Sequence, residues 1–261
     1  MTQTNNHYTF GENDLAAQRL AHLAAAYEQP TAAFLTTWGR KGVEHVIDLG
    51  CGPGHTSLLL HAVLEPRLVT GVDASESLLN QARGRAPHLA FVRHDVTQAP
   101  FPCAQADLLF CRFLLTHLRD PAAAVRAWSS AARPGARLLI QETAGLQSDD
   151  PTISRYYELV AALQSGYGQS LNIGAAMDRH VAGQGWEILS NQPVVVEQEA
   201  RTMARLHAMN IRTWSQDSMA RRLFDPGEIV AVQAGLDEIA SGQRIAPPVL
   251  NTFGQVVAVR S

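Results

Sequence analysis

The sequence predicts an α/β fold, a doubly wound parallel sheet with helices on both faces. Three observations carry that expectation. Five short apolar runs recur between residues 46 and 142, each of a length suited to a buried strand. Segments with helical periodicity separate several of these runs, the alternation that builds parallel sheets. The first run, Val46-Ile47-Asp48-Leu49, ends in the turn Gly50-Cys51-Gly52-Pro53-Gly54, and an amphipathic segment from His55 to Leu64 follows at once. A strand, a tight loop and a helix start in that order form a binding crevice at the carboxyl edge of an open sheet.

Taken in order, Asp14 to Tyr27 sets Leu15, Leu20, Leu23 and Ala24 among helix formers. It reads as a helix with Asn13 as N-cap, broken by Pro30. Thr31 to Trp38 is a second helix leading into the first strand. After the glycine turn and its helix comes the second strand, Leu68 to Asp73, with a helix from Ser75 to Arg85 behind it. Leu89 to Val96 is the third strand, with Asp95 near its end, and Ala106 to Cys111 is the fourth. Asp120 caps and Pro121 opens a helix to Ala132. The turn Arg133-Pro134-Gly135 then enters a fifth strand, Arg137 to Glu142.

Beyond Glu142 the alternation stops. Ser154 to Gln164 and Ile173 to Ala182 read as helices. Trp186 to Glu197 is a strand interrupted near Pro193. Ala200 to Ser215 is a helix, Asp225-Pro226 starts another, and Thr252 to Arg260 is a final strand. No repeat or low-complexity linker divides the chain. The expectation is one domain over 1–261, with a helical cap over 1–40, a binding core over 41–145 and helical insertions over 146–261.

The glycines let the backbone adopt positive φ and let a ligand lie against bare main chain. The helix that follows offers unpaired N–H groups and a partial positive charge. A dinucleotide fold would read G-x-G-x-x-G; here the order is G-x-G-x-G, with His55 in the place of the third glycine, which disfavours a nicotinamide dehydrogenase. Asp73 stands about where a ribose-binding carboxylate is expected downstream of such a loop.

Together the glycine loop, Asp73 and Asp95 resemble the class I S-adenosylmethionine (SAM) dependent methyltransferases, over roughly residues 40 to 145. Gly71-Val72-Asp73-Ala74-Ser75 and Phe113-Leu114-Leu115-Thr116-His117-Leu118 are similar to bacterial small-molecule members with an N-terminal helical cap. The resemblance implies a Rossmann-like sheet of seven strands, the last antiparallel between strands five and six. It implies SAM as cofactor, S-adenosyl-L-homocysteine (SAH) as product, and methyl transfer to an oxygen or nitrogen of a small molecule such as a secondary metabolite. A second reading on the same residues is a SAM-binding enzyme or partner protein that transfers no methyl group, because fold alone does not settle function.

SAM presents hydroxyls, an adenine, a zwitterionic tail and a sulfonium, each needing its own surface. An ionised Asp73, with Ala74 beside it, suits the ribose hydroxyls; its competing role is to cap the helix after Ala74-Ser75. Asp95 would accept from the adenine amino group with the Val96 N–H at a ring nitrogen, or else sit solvated at a strand end. Gly50, Cys51 and Gly52 would run along the methionyl and ribose portions, Cys51 as a small buried filler rather than a nucleophile. Asp48 would order the loop and reach the ammonium through water, and the backbone at Cys111 and Arg112 would receive that ammonium. The resemblance also implies that Tyr8 or a neighbour closes over the cofactor.

Methyl transfer needs positioning, desolvation and, for an amine or phenol, a proton acceptor. His117, just past strand four, is the candidate base; the alternative puts it on an outer face. Glu142 is a second candidate, as a base or as an anchor for a cationic acceptor, against a plain ion pair with an arginine. Phe113, His117, Tyr156, Tyr157, His207, Asn210 and Trp214 are the candidate acceptor contacts, against simple core packing.

Composition narrows the partners. Formal net charge is −3, and Lys41 is the sole lysine. No basic stripe with interleaved aromatics appears, which argues against nucleic acid. The Asn/Asp-Pro-Pro-Tyr/Phe signature of nucleic-acid and protein amino methyltransferases is replaced by Cys111-Arg112-Phe113-Leu114. Three cysteines without regular spacing suggest neither a disulfide framework nor a zinc site, and no metal is expected. With no signal-peptide core and no run of about 20 apolar residues, the expectation is a cytoplasmic monomer or homodimer with no membrane partner.

Overall fold

The computed structural model describes residues 14–261. Two helices, α1 (Asp14–Ala26) and α2 (Glu28–Trp38), precede the sheet. The core follows as β1 (His45–Leu49), α3 (His55–Leu64), β2 (Leu68–Asp73), α4 (Glu76–Arg85), β3 (Ala90–Arg93), β4 (Ala106–Arg112), α5 (Pro121–Trp128) and β5 (Ala132–Gln147). Then come α6 (Pro151–Gly166), α7 (Met177–Val181), β6 (Trp186–Gln198), α8 (Ala200–Trp214), α9 (Ser218–Leu223), α10 (Pro226–Ser241) and β7 (Val249–Arg260).

The seven strands form one sheet in the order β3-β2-β1-β4-β5-β7-β6. Pairing is parallel from β3 through β5, and β7 runs antiparallel to both β5 and β6. This is the expected topology, with the last strand inserted between the fifth and sixth. The order reverses direction between β1 and β4, so the loops after them diverge and leave a crevice there. All five β1 residues are buried, as a central strand covered on both faces requires.

Local chemistry explains the element starts. Ser75 Oγ accepts from Leu78 N at the head of α4, and Asp120 accepts from Ala123 N ahead of Pro121. Asp150 and Asp225 do the same for α6 and α10, again with proline in the first turn. A third core lies between α6, α8 and α10, apart from those on the two faces of the sheet, and includes Leu163, Trp214, Ile211 and Leu236.

Several boundaries differ from expectation: β3 spans only Ala90–Arg93, leaving Asp95 in the turn after it, and the helix expected over Ile173–Ala182 is a 3-10 turn, Ile173–Ala176, followed by α7. Pro30 does not end the first helix; the break falls at Tyr27, and Pro30 sits in the first turn of α2, where a missing N–H costs nothing. Pro193 does not interrupt β6, because β6 is an edge strand with one unpaired side; the register shift falls between Ile188 and Ser190. The helix opened by Pro121 ends at Trp128, and β5 begins at Ala132, taking in the Arg133-Pro134-Gly135 stretch through a bulge against β4. β7 begins at Val249, ahead of Thr252. The expected cap Asn13 lies outside the described residues.

Candidate active site

The loop after β1 is pinned by backbone bonds: Gly50 N and Cys51 N both donate to Val72 O, at 2.8 and 3.1 Å. Gly50 and Gly52 have φ of +67° and +52°, values that favour glycine. A Cβ on Gly50 would press on Leu114, whereas one on Gly52 would stand with no atom within 4 Å. Bare backbone at Gly52 thus borders open space beside the start of α3.

Asp73 ends β2 and braces this loop. Its Oδ2 accepts from Gly52 N at 2.8 Å and its Oδ1 from Ser75 N at 2.9 Å. Asp73 is thus not the cap of α4, a role that Ser75 fills, but holds the turns on either side of it. Asp95 closes the turn after β3 by accepting from Thr97 N and Oγ1 at Oδ1. Asp48 is buried beneath the loop and accepts from Ser57 Oγ at 2.7 Å, which ties β1 to α3. Burial raises its carboxyl to about 7, with the Ser57 bond opposing.

A cavity of about 410 Å³ opens at this edge, within the size range of small-molecule sites. Gly50, Cys51, Gly52, Asp73, Ala74, Asp95 and Val96 line one end. Arg112, Phe113 and His117 line the middle, and Tyr156, Tyr157, His207 and Asn210 the far end. Most of the residues singled out in the sequence therefore share one space.

The turn out of β4 is strained. Phe113 has φ +54°, unusual for a bulky residue. Its ring meets Tyr27 edge-on at 5.5 Å and Phe253 at 5.5 Å, with the Arg112 guanidinium 5.6 Å from its centre. Arg112 Nη1 donates to Thr31 Oγ1 at 2.9 Å; burial lowers it to about 10, so it stays charged. Desolvation, helped by nearby Arg19, lowers His117 to about 3, which leaves a neutral imidazole on the cavity wall.

Glu142, Asp48, Cys111 and Trp214 lie outside the cavity wall. Glu142 is fully buried, and its Oε1 accepts from Leu114 N at 2.7 Å, Leu115 N at 2.8 Å and Cys111 Sγ at 3.7 Å. It holds the turn carrying Phe113 and His117 from behind, rather than meeting an acceptor or an arginine. Burial raises it to about 7. Trp214 is fully buried in the helical core, edge-on to Phe224 at 6.1 Å, one turn past Asn210. Tyr8 lies outside the described residues.

Sequence reasoning missed several wall residues: Arg19, Leu20 and Leu23 of α1, Tyr27 at the α1–α2 junction, and Gln164, Met203 and Phe253. Tyr27 ties three elements together. Its hydroxyl accepts from Asn251 Nδ2 and donates to Met203 Sδ at 3.6 Å, and its ring meets Phe253 at 5.0 Å. A signal existed for Gln164, since Tyr156, Val160 and Gln164 fall four apart on one helical stripe.

Comparison with known proteins agrees with this geometry. Residues 46–135 match the family model described as a methyltransferase domain. A trans-aconitate 2-methyltransferase of Escherichia coli O45:K1 (strain S88 / ExPEC) is 33% identical over 99 residues, which cover 38% of this chain and 39% of that protein. The match therefore spans well under half the length of either. Among solved structures, the [4+2]-cyclase SpnF superposes with a TM-score of 0.59 at 15% identity, over 90% of this chain and 81% of that one. Phosphoethanolamine N-methyltransferase 2 of Haemonchus contortus, in complex with phosphomonomethylethanolamine and SAH, superposes with a TM-score of 0.56 at 15% identity, over 96% and 60%. At such identity these structures speak for the fold. The glycine loop, the sheet order and the match over residues 46–135 together make the core of this chain similar to a methyltransferase domain of the class I SAM-dependent type.

Proposed function

We propose that the protein transfers the methyl group of SAM to an oxygen or nitrogen of a small molecule. The observation that carries this reading is the single cavity that joins the glycine loop and its two acids to a buried aromatic wall on α6 and α8. The residues present fit the cofactor. The open space at Gly52 accommodates a ligand against bare backbone. Asp73 offers a carboxylate for hydroxyls, and the guanidinium groups of Arg19 and Arg112 line the same cavity and suit a carboxylate. When bound, SAM supplies an activated methyl on a sulfonium that leaves as a neutral thioether.

The chain's own residues supply position and dryness. Leu20, Leu23, Val160, Met203 and Leu206 line the cavity and strip water from a nucleophile placed among them. His117 takes the hydrogen bond of the acceptor's O–H or N–H and orients its lone pair; with its proton affinity held down by burial and Arg19, it passes the proton released on methylation to solvent water. Glu142 is a positioning residue that fixes the His117 turn through Leu114 N and Leu115 N. A cavity of about 410 Å³ and a net charge of −3 favour a small acceptor over nucleic acid.

Calorimetric titration with SAM, SAH and NAD tests the cofactor half. Micromolar binding of the two sulfur nucleotides without NAD supports the reading; NAD alone, or no binding, overturns it. SAH release from bound SAM, measured against small phenols, amines and heterocycles, tests the transfer. A chain that binds SAM and methylates none of them behaves as a SAM-binding protein without transfer.

A further inference from the structure

Gln164, His207 and Asn210 line the α6–α8 end of the cavity, and each is more than nine-tenths buried. Among the described residues, four of their polar atoms have no hydrogen-bond partner: Gln164 Oε1 and Nε2, His207 Nδ1 and Asn210 Oδ1. The remaining polar atoms of His207 and Asn210 are used internally. His207 Nε2 pairs with the Tyr157 hydroxyl at 3.1 Å, and Asn210 Nδ2 donates to the Tyr156 hydroxyl at 2.8 Å. The His207 ring stacks on Tyr156 with centres 4.3 Å apart. These contacts fix the direction of His207 Nδ1 and Asn210 Oδ1.

Buried unpaired polar atoms are destabilising, and native cores hold few. Leucine or methionine would fill the same volume without that cost, so four such atoms at one end of a cavity point to a ligand. The set carries no charge, because desolvation lowers His207 to about 3. Of the charged wall residues, Asp73 stands at the end of β2, Asp95 just after β3 and Arg112 at the end of β4; Arg19 on α1 is near enough to act on Tyr156 but is not among the groups that shift His207. The neighbouring walls, Val160, Met203 and Leu206, are apolar.

We propose that Gln164, His207 and Asn210 bind the methyl acceptor, and that the acceptor is an uncharged, mainly apolar molecule whose inner end carries a hydroxyl or amide group. This rests on the methyltransferase reading. Such a group donates to Asn210 Oδ1 or Gln164 Oε1 and accepts from Gln164 Nε2. His207 Nδ1 serves as donor or acceptor according to its tautomer. A carboxylate has no proton to give and would set its negative oxygens against two carbonyl oxygens. A plain hydrocarbon would leave all four atoms unpaired.

The test is binding of 4-propylphenol, 4-propylbenzamide, 4-propylbenzoate and propylbenzene to the SAH-loaded chain, by calorimetry and ligand-detected NMR. The phenol or the amide should bind at least tenfold tighter than both the benzoate and the hydrocarbon. Gln164→Leu should erase that preference while leaving SAH affinity unchanged and the melting temperature equal or higher. The ranking on the unaltered chain needs no variant, so a folding defect in Gln164→Leu does not shield the proposal. Benzoate binding tightest, propylbenzene matching the phenol and amide, or an intact preference in a folded Gln164→Leu chain would each overturn it. Failure of SAH to bind is a distinct result, and it removes the cofactor reading on which the proposal stands.

Discussion

Glu142→Gln isolates the energetic cost of the buried carboxyl behind the His117 turn. The substitution keeps an oxygen for Leu114 N, Leu115 N and Cys111 Sγ and removes the charge. Burial raises Glu142 from 4.5 to about 7, so the folded state holds a proton that the unfolded chain releases. The stability from that retained proton is complete below pH 4.5 and declines as pH rises, until it is lost above about 7. At about 1.4 kcal/mol per pH unit, the loss between pH 5 and pH 8 is about 2–3 kcal/mol. Asp48, raised to about 7, adds a slope of the same sign, while His55, lowered to about 4, and His117 and His207, both lowered to about 3, add slopes of the opposite sign. All of these remain in the variant and cancel in the difference. Urea unfolding of both chains at pH 5 and pH 8 therefore should show the variant gaining about 2–3 kcal/mol on the natural chain across that interval. Parallel pH profiles for the two chains would refute the assignment of a neutral buried Glu142.

Asp73→Ala should weaken SAM binding tenfold or more, about 1–3 kcal/mol for lost charge-assisted bonds and a released Gly52 turn; near-normal affinity by calorimetry would sink the role given to Asp73. Gly52→Ala places a side chain at φ +52° and in the open space of the cavity, so SAM affinity should fall at least tenfold, with a loss of about 1–2 kcal/mol in folding stability. Tyr27→Phe leaves the buried Asn251 amide without its acceptor and should cost about 1–3 kcal/mol in chemical denaturation. Adding Asn251→Leu should return part of that loss, and a non-recovering pair would mean that the hydroxyl acts through something other than Asn251.

The cofactor end of the cavity was legible because its signals are local. The glycine turn, Asp73 and Asp95 each stand at the end of an apolar run, and a parallel sheet brings all strand ends of one polarity to one edge. Tyr156, Tyr157, His207 and Asn210 were legible as aromatic and polar outliers in the helical additions, and they do meet the cavity. Glu142 and Trp214 were misplaced for different reasons. Glu142 was read as the end of the fifth strand, but β5 runs on to Gln147, and the side chain points behind the turn after β4, where backbone N–H groups need an acceptor. Trp214 continues the α8 stripe, but the helix turns it toward Phe224 and the inter-helix core. Arg19 and Tyr27 carried no local signal at all. Their place depends on how α1 crosses α8, a contact between residues nearly two hundred positions apart.

The two walls of the cavity come from different stretches of chain. The glycine-loop wall is built by the turns after β1 to β4, and the opposite wall largely by α1, α6 and α8. Heredity can therefore act on them separately. Val160 on α6 and Leu206 on α8 take no part in the hydrogen bond that ties the Gly52 loop to Asp73 at the end of β2. On the proposed reading, substitution at those two positions would change which acceptor fits while leaving the hydrogen bond between Gly52 and Asp73 untouched.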